Sequence, residues 1–279
     1  MRLARVGALG AEKPAIITAD GLAHDLSGIV DGISGPMLAS GGLERIAEEN
    51  PESLPVLEGR LGSCVARPGM VLCIGLNYED HAQETGAPIP AEPILFQKAT
   101  NTVVGPHDDL LIPRGSSKTD WEVELGVIIG LRASYLPDQT AGWMAIAGYA
   151  VSHDVSEREF QLERGGQWTK GKSAATFNPL GPWLVTKDEV DDPLDLGMRT
   201  WVNDEITQDG NTRTMIFDPG YLVWYASQFM VLEPGDLINT GTPPGVGLAM
   251  DPPRFLRAGD VVSLSIDNLG TQRQMCKQA

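Results

Sequence analysis

The sequence of 279 residues contains little cysteine, few basic residues and no long apolar run. Its three cysteines, Cys64, Cys73 and Cys276, form no C-x-x-C pair, and this odd count disfavours a disulfide scaffold or a zinc finger. Lys and Arg number 21 against 37 Asp and Glu, which gives a net charge of −16 with no basic cluster. The charge balance therefore argues against nucleic acid and against an anionic membrane surface as partners.

The chain also lacks the signals of export and membrane insertion. No run of 18 apolar residues is present, and residues 1–7 lack the apolar core of a signal peptide. Together with the odd cysteine count, this predicts a cytoplasmic protein. The acidic balance does not exclude a small anionic substrate, because a bound metal ion can reverse the local field.

Proline and glycine positions divide the chain into two predicted domains. Residues 1–65 read as a small N-terminal α/β domain, whose end is marked by Pro51, Pro55 and two nearby glycines. Residues 66–279 read as a mostly β (α+β) domain with short strands and frequent turns. The predicted strands cover residues 3–7, 15–18, 71–76, 94–98, 122–129, 148–152, 182–186, 199–202, 236–239 and 261–266. The predicted helices cover residues 42–49, 139–147 and 218–229.

Two carboxylates lie one residue apart in the apolar run of residues 120–129. Side chains alternate across a strand, so Glu122 and Glu124 share one face, with Cα atoms about 6.6–6.8 Å apart. Like charges on a buried face repel and lose hydration, and a divalent cation would compensate them. Ligation by oxygen alone favours Mg²⁺, Mn²⁺ or Ca²⁺. The alternative is the exposed face of an edge strand, which needs no metal.

A third carboxylate, Asp154, follows the strand predicted over residues 148–152. Strand ends that meet loops are where ligand-binding side chains commonly emerge, so Glu122, Glu124 and Asp154 could form one metal site. The neighbouring His153 points to the opposite side of an extended segment, which makes it a poor candidate ligand.

Residues 75–84 carry a candidate general base. In a helix, His81 and Glu84 lie side by side, and the carboxylate would fix the imidazole tautomer and raise its basicity. The same pair on a plain surface helix would have no catalytic meaning. Three prolines at positions 88, 90 and 93 mark a segment that could act as a hinged lid.

Residues 166–173 match the phosphate-binding formula G-x-x-x-x-G-K-[ST]. That loop requires an apolar strand before it and a helix after it, whereas charged residues precede this segment and two prolines follow it. Nucleotide binding is therefore disfavoured. Lys172 remains a candidate cation for an anionic substrate or an enolate oxygen.

Residues 240–247 form a turn rich in glycine and proline after the strand predicted over residues 236–239. Such a turn can present backbone N–H groups and the Thr242 hydroxyl to a carboxylate. A purely structural tight turn would have the same composition.

These motifs together resemble the fumarylacetoacetate hydrolase family, from about Val71 to the C-terminus. The shared motifs are G-x-N-Y-x-x-H-x-x-E at 75–84, E-x-E at 122–124, H-D-V-S at 153–156, W-x-x-G-K-S at 168–173 and G-T-P-x-G-V-G at 241–247. The resemblance implies a mixed β-sandwich roll, usually dimeric, that holds Mg²⁺ or Mn²⁺.

The resemblance also implies roles for individual side chains. The residues that match the family's metal ligands are Glu122, Glu124 and Asp154. Those that match its catalytic groups are His81, Glu84 and Lys172. Those that match its substrate contacts are Tyr78, Gln161 and Thr242. Leu76 stands where several relatives that act on acylpyruvates have arginine, so no role carries over to that side chain.

Residues 161–168 and 181–190 are similar to bacterial enzymes of non-phosphorylated L-rhamnose and L-fucose breakdown. This similarity implies hydrolysis of the C–C bond of an acylpyruvate, a small anionic keto acid. L-2,4-diketo-3-deoxyrhamnonate, or its fuconate epimer, would give pyruvate and L-lactate. Oxaloacetate decarboxylation and hydroxy-dienedioate isomerisation use the same metal–enolate chemistry and are the alternatives, with ureidoglycolate lyase a weaker one. A non-catalytic β-fold binding protein is the alternative from another class, and the intact His81, Glu84 and Lys172 disfavour it.

Overall fold

The computed structural model describes all residues from Met1 to Ala279. In chain order the strands are β1 (Arg2–Val6), β2 (Lys13–Ile17), β3 (Ala23–Asp25), β4 (Val56–Leu57), β5 (Val71–Gly75), β6 (Ile94–Lys98), β7 (Val103–Val104), β8 (Leu110–Ile112), β9 (Thr119–Asp120), β10 (Val123–Ile129), β11 (Ile146–His153), β12 (Ser156–Glu157), β13 (Asn178–Pro179), β14 (Leu184–Thr186), β15 (Gly197–Val202), β16 (Glu205–Asn211), β17 (Leu237–Asn239), β18 (Val261–Ile266) and β19 (Gly270–Gln278).

The helices are short. The α-helices are α1 (Gly35–Ala39), α2 (Gly42–Ala47), α3 (Glu79–Thr85), α4 (Gln139–Met144), α5 (Thr169–Lys172) and α6 (Pro219–Ser227). The 3₁₀ segments are Pro51–Ser53, Thr100–Thr102, Lys187–Glu189, Thr212–Thr214 and Gly247–Ala249, and Glu159–Glu163 forms a π-helix. The longest helix, α6, has nine residues, and no helix has the length and apolar character needed to span a membrane.

Most strands belong to two sheets. The larger sheet has the order β4-β3-β2-β1-β14-β11-β10-β17-β5-β6, in which only the β17–β5 pair is parallel. The smaller sheet has the order β16-β15-β18-β19-β8, with β19 and β8 parallel. The predicted mostly β architecture with mixed sheets is confirmed.

The main core lies between the two sheets. Alternate apolar residues of β10 meet residues of the smaller sheet such as Met198 and Leu264. Because side chains alternate along a strand, Glu124 takes the other face of β10 together with Ile128, which belongs to a second core. The strand is thus buried on both faces, and its carboxylates point away from the interior of the sandwich.

The N-terminal residues join the larger sheet directly. β1 pairs with β14 in antiparallel register, with Leu3 opposite Leu184, and so extends the sheet that contains β10 and β11. Met37 and Ile46, from α1 and α2, pack into the second core with Val71. The domain boundary at residue 65 stays a prediction, but the segments on its two sides share one sheet and one core.

Two of the differences between the observed and the predicted elements have a clear physical reason. The helix predicted over residues 139–147 ends at Met144, because Ile146 already begins β11 and pairs with Ile129. Strands β16 and β19 are not predicted from the sequence, because their polar sequences show little alternation of apolar and polar residues. The register of β19 is instead set by its neighbours β18 and β8.

Substitution of Gly148 tests the close contact between β11 and β14. A Cβ added at Gly148 would overlap the carbonyl oxygen of Val185 on β14. Gly148→Ala should therefore disturb the pairing of β11 with β14 and lower the free energy of unfolding by about 1–3 kcal/mol, measured by urea denaturation. Gly32→Ala is the control, because nothing lies within 4 Å of its added Cβ, and it should change the stability by no more than about 0.5 kcal/mol. Equal midpoints for the two variants would contradict the close contact.

Candidate active site

Three buried carboxylates lie together where β10 begins and β11 ends. These strands are antiparallel and pair Val123 with His153, so Glu122 comes opposite Asp154, whose N–H donates to the Glu122 carbonyl at 3.0 Å. Glu122, Glu124 and Asp154 are 6%, 2% and 1% exposed, and their candidate ligand oxygens all lie within 4.8 Å of one another. Because β10 lies between β11 and β17, the exposed edge-strand interpretation of the Glu-x-Glu pair is excluded.

Three buried cations surround these carboxylates. Lys172 Nζ donates to Glu122 Oε2 at 2.6 Å and to Asp154 Oδ2 at 2.8 Å. Lys98 Nζ binds the other oxygen of Asp154. Arg158 Nη2 lies 2.7 Å from Glu122 Oε1. These charge-assisted contacts make the burial of Glu122 and Asp154 tolerable.

The three cations compensate the negative charges of the three carboxylates unequally. Burial disfavours the ionised form of Glu122, but the charges of Lys172 and Arg158 outweigh it and lower the pKa of Glu122 to about 2. Burial and the charges of the other two carboxylates raise the pKa of Glu124 well above its usual range. Without a metal Glu124 therefore favours its neutral form, because no side chain forms an ion pair with its carboxylate. A divalent cation would supply the missing positive charge, so the donor set fits a metal of the Mg²⁺ or Mn²⁺ type.

His81 and Glu84 form the predicted pair on α3. His81 Nδ1 lies 2.9 Å from Glu84 Oε2, and the other oxygen of Glu84 accepts a hydrogen bond from the Gly245 N–H at 2.9 Å. Gly245 has a φ of +101°, and a Cβ there would overlap the carbonyl oxygen of Thr207. The glycine-rich turn therefore holds the carboxylate that orients the imidazole, and His81 Nε2 is left available.

The carboxylates and the His–Glu pair open onto one cavity of about 510 Å³. The polar side chains that line this cavity are His81, Glu84, Thr85, Glu122, Glu124, Asp154, Arg158, Gln161, Lys172 and Thr242. Much of the remaining lining is apolar, including Leu76, Phe96 and Trp168. The fold thus brings together all the site residues predicted from the sequence except Tyr78.

Tyr78 does not line the cavity, which corrects its predicted contact with substrate. The residue precedes α3 in an extended conformation and belongs to the core between the sheets. Its side chain is fully buried, and its hydroxyl lies 3.1 Å from the Met198 sulfur. Burial, and then the nearby Glu124, raise the pKa of Tyr78 well above its usual range. The packing of this ring therefore positions the start of α3.

Gln161 and Thr242 line the cavity with part of their hydrogen-bonding capacity already used. Gln161 Oε1 accepts from Arg158 Nη1 at 3.1 Å, which leaves the amide N–H groups of Gln161 for a ligand. The Thr242 hydroxyl donates to the Val123 carbonyl at 2.9 Å and accepts from Gln208 at 2.8 Å. Thr242 thus anchors the turn to β10, and its hydroxyl proton is not free for a substrate carboxylate.

His153 lies outside the three-carboxylate group, as the strand alternation predicts. Its Nδ1 is 3.1 Å from Gln274 Oε1 on β19, across the sandwich core. Burial lowers the pKa of His153 to about 4, so the ring is neutral at physiological pH.

Residues 166–173 do not form a phosphate-binding loop. A π-helix precedes the segment, and α5 has only four residues. Its Lys172 is held by Glu122 and Asp154. These features agree with the sequence-based rejection of nucleotide binding.

Sequence reasoning missed Lys98, Arg158 and Asp120. Arg158 Nε donates to Asp120 Oδ2 at 2.8 Å, and the Gly247 and Leu248 N–H groups donate to Asp120 at 2.7 and 3.0 Å. Asp120 thus ties Arg158 to the end of the glycine-rich turn. The available signals were a lysine that ends an apolar strand and the general need of buried carboxylates for counter-charges.

Comparisons with known proteins point to one family. The family described as fumarylacetoacetate (FAA) hydrolase C-terminal matches residues 70–276. The chain is also 50% identical over 282 residues to a Burkholderia multivorans protein that carries only a general hydrolase name, and the match covers 100% of both chains.

Solved structures with the same fold include enzymes of more than one activity. A fumarylacetoacetate hydrolase from psychrophilic Exiguobacterium antarcticum is 33% identical with a TM-score of 0.89, and covers 100% of both chains. A 2-hydroxyhepta-2,4-diene-1,7-dioate isomerase from Mycobacterium marinum is 31% identical with a TM-score of 0.77, over 100% of this chain and 98% of the other. A maleylpyruvate hydrolase from Sphingobium sp. SYK-6, in complex with manganese (II) ion and pyruvate, is 27% identical with a TM-score of 0.83 over 100% of both chains. The match over most of the chain and the half-identical relative show that this chain belongs to the fumarylacetoacetate hydrolase family.

Proposed function

We propose that this chain is a metal-dependent hydrolase that cleaves the C3–C4 bond of an acylpyruvate. The observation that carries the proposal is that the buried three-carboxylate site and the His81–Glu84 pair open onto the same cavity. The first can hold a 2-oxo acid through a divalent cation, and the second can activate water. The maleylpyruvate hydrolase of Sphingobium, bound to manganese and pyruvate, supports this reaction class.

Glu122, Glu124 and Asp154 would hold the cation. They are hard oxygen ligands grouped within 4.8 Å, and a cation would favour the ionised form of Glu124, with which no side chain forms an ion pair. When bound, the cation would act as a Lewis acid on the 2-oxo carboxylate end of the substrate and spread the charge of a developing enolate. The manganese in the Sphingobium enzyme supports a divalent cation of this kind and leaves Mg²⁺ and Mn²⁺ both open.

His81 would act as the general base. Since Nδ1 is bound to Glu84 at 2.9 Å, Nε2 is the nitrogen that takes a proton from water. The water oxygen adds to the C4 carbonyl carbon, and the C3–C4 bond then breaks with its electron pair passing to the pyruvate fragment as an enolate. C3 finally takes up a proton, so one acylpyruvate and one water give one carboxylic acid and one pyruvate.

Lys172 would stabilise the negative charge on the enolate oxygen. Burial alone would lower the pKa of Lys172, but the charges of Asp154 and Glu122 outweigh it and raise the pKa, so the ammonium group stays protonated. The group is held in place by hydrogen bonds to the same two carboxylates. A fixed cation at the wall of a partly enclosed cavity stabilises developing charge without reorganisation.

The proposed substrate is L-2,4-diketo-3-deoxyrhamnonate or its fuconate epimer, with pyruvate and L-lactate as products. Its basis is the resemblance of residues 161–168 and 181–190 to enzymes of L-rhamnose and L-fucose breakdown. Oxaloacetate decarboxylation and hydroxy-dienedioate isomerisation are the alternatives, and the Mycobacterium marinum relative keeps the second relevant. The His81–Glu84 pair favours hydrolysis, because only hydrolysis consumes an activated water. The resemblance to the fumarylacetoacetate hydrolase family leads us to propose a homodimer, which sedimentation would test, and the odd cysteine count leads us to propose a cytoplasmic location.

A substrate panel tests the reaction. The protein is incubated with both sugar-acid epimers, simpler acylpyruvates and oxaloacetate, with Mg²⁺, Mn²⁺ or EDTA, and the products are identified by mass spectrometry. We expect L-lactate and pyruvate from a sugar acid, and no turnover in EDTA. If the only turnover observed were carbon dioxide release from oxaloacetate, the proposed reaction would be decarboxylation and not hydrolysis. Turnover in EDTA would contradict the metal-dependent mechanism.

Substitutions on α3 test the base. His81→Ala should lower kcat by about 100- to 10,000-fold, because proton transfer to the imidazole is lost. Glu84→Gln should also lower kcat, since the charge that orients and activates His81 is removed. Glu79→Gln is the matched control on the exposed side of the same helix and should leave kcat unchanged. Calorimetry should give the same Mn²⁺ affinity for all variants, and a fully active, metal-bound His81→Ala would reject this base.

Glu124→Gln tests the metal site by stability. Without metal the variant should be at least as stable as the parent protein, because a neutral amide removes the cost of a carboxyl buried beside Glu122 and Asp154. With Mn²⁺ at about 100 times its Kd, the parent should gain about 2.7 kcal/mol and the variant much less. Thermal unfolding in Mn²⁺ and in EDTA measures both effects, with Glu79→Gln as control. If Mn²⁺ stabilised the variant as much as the parent protein, Glu124 would not be a metal ligand.

A further inference from the structure

The cavity contains no unpaired positive charge. Three basic side chains line it, and each is already bound to a carboxylate: His81 to Glu84, Lys172 to Asp154 and Glu122, and Arg158 to Asp120 and Glu122. If the 2-oxo acid end of a substrate lies at the three-carboxylate site, the rest of that substrate therefore contacts no unpaired cation. A second carboxylate on that substrate would have no partner.

The rest of the cavity offers an apolar wall. The large side chains of this wall are Leu76, Phe96, Leu162, Trp168, Val246 and Leu248. Phe96 and Trp168 pack edge to face at 5.2 Å, which makes their part of the wall rigid. Leu162 and Leu248 are 47% and 36% exposed, so they present apolar surface that a carbon chain would cover.

Leu76 occupies an unusual backbone conformation at this wall. Its φ is +50°, in the left-handed region that a leucine rarely adopts. The next residue holds it there: the Asn77 side chain donates to the Thr240 carbonyl at 2.8 Å and accepts from the Phe217 N–H at 2.9 Å. A residue kept in a disfavoured conformation at a ligand cavity points to a role for its side chain in that cavity.

We infer that the substrate carries an uncharged, largely apolar acyl tail, and that Leu76 is a specificity-determining residue that disfavours a second carboxylate. The inference rests on the proposed function and narrows it to acylpyruvates with neutral tails. A terminal carboxylate against the apolar wall would lose hydration without gaining a cation. Discrimination of this kind is built from the unfavourable burial of the wrong group as well as from contacts with the right one.

Turnover of a matched substrate pair is the first test. The pair is 2,4-dioxoheptanoate and 2,4-dioxoheptanedioate, which have the same carbon chain and differ in the terminal group. With Mn²⁺ present, we expect kcat/KM to favour the neutral tail by about 100-fold. A diacid that is cleaved as well as the monoacid would overturn the inference and leave the hydrolase proposal standing. Cleavage of neither would overturn the proposed function, and the tail preference is then decided by binding.

Binding of a second pair is independent of turnover. The probes are 2-oxoheptanoate and 2-oxoheptanedioate, which lack the C4 carbonyl, titrated into the Mn²⁺-loaded protein by calorimetry. We expect the monoacid to bind about 100-fold more tightly to the parent protein. Equal affinity, or tighter binding of the diacid, would overturn the inference.

Leu76 itself is tested in both assays with two variants. Leu76→Arg supplies a cation at the apolar wall and should reduce the preference for the monoacid at least about tenfold, mainly through tighter binding of the diacid. Leu76→Met keeps an apolar side chain of similar volume and should retain the parental preference. An unchanged preference in a folded Leu76→Arg would remove Leu76 as a specificity determinant.

Discussion

Burial of three carboxylates at the junction of β10 and β11 is the constraint on which the site depends. A buried carboxylate is tolerated only when it is paired or neutral. Glu122 and Asp154 are paired with Lys98, Arg158 and Lys172, which come from β6, from the segment after β12, and from α5. Distant parts of the chain must therefore converge here for the fold to be stable. Glu124 is left without such a cation and favours its neutral form, whereas a bound divalent metal would stabilise its ionised form.

The glycine-rich turn after β17 connects the two chemical parts of the site. The Gly241 N–H donates to Glu124 at 2.7 Å, and the Gly245 N–H donates to Glu84 at 2.9 Å. Thr242 fixes the middle of the turn to the Val123 carbonyl of β10. One short segment thus sets the positions of a candidate metal ligand and of the carboxylate that orients His81. Glycine is needed at Gly241 and Gly245 because their φ values are +95° and +101°, and a Cβ on Gly245 would overlap the Thr207 carbonyl oxygen.

The local sequence pattern was sufficient to predict several strands and the shared face of the two glutamates. Strands Ile94–Lys98 and Val261–Ile266 have the predicted bounds, and the alternation that places Glu122 and Glu124 on one face holds in β10. It failed for β19, whose buried positions include the polar Gln272 and Gln274, which donate to the Val151 and Pro106 carbonyls. The substrate contact of Tyr78 was implied by the family resemblance and not by a local pattern, and a motif match does not fix which way the ring turns.

The sequence alone determined that two carboxylates share a strand face, that a His–Glu pair lies on one helix, and that the motifs match one enzyme family. These are properties of short segments, and period and spacing encode them directly. Only the tertiary structure decided that Lys98 and Arg158 compensate Glu122 and Asp154, that Tyr78 lies in the core, and that no free cation lines the cavity. Such facts depend on which distant segments meet, and contact between distant segments leaves no periodic trace in the sequence.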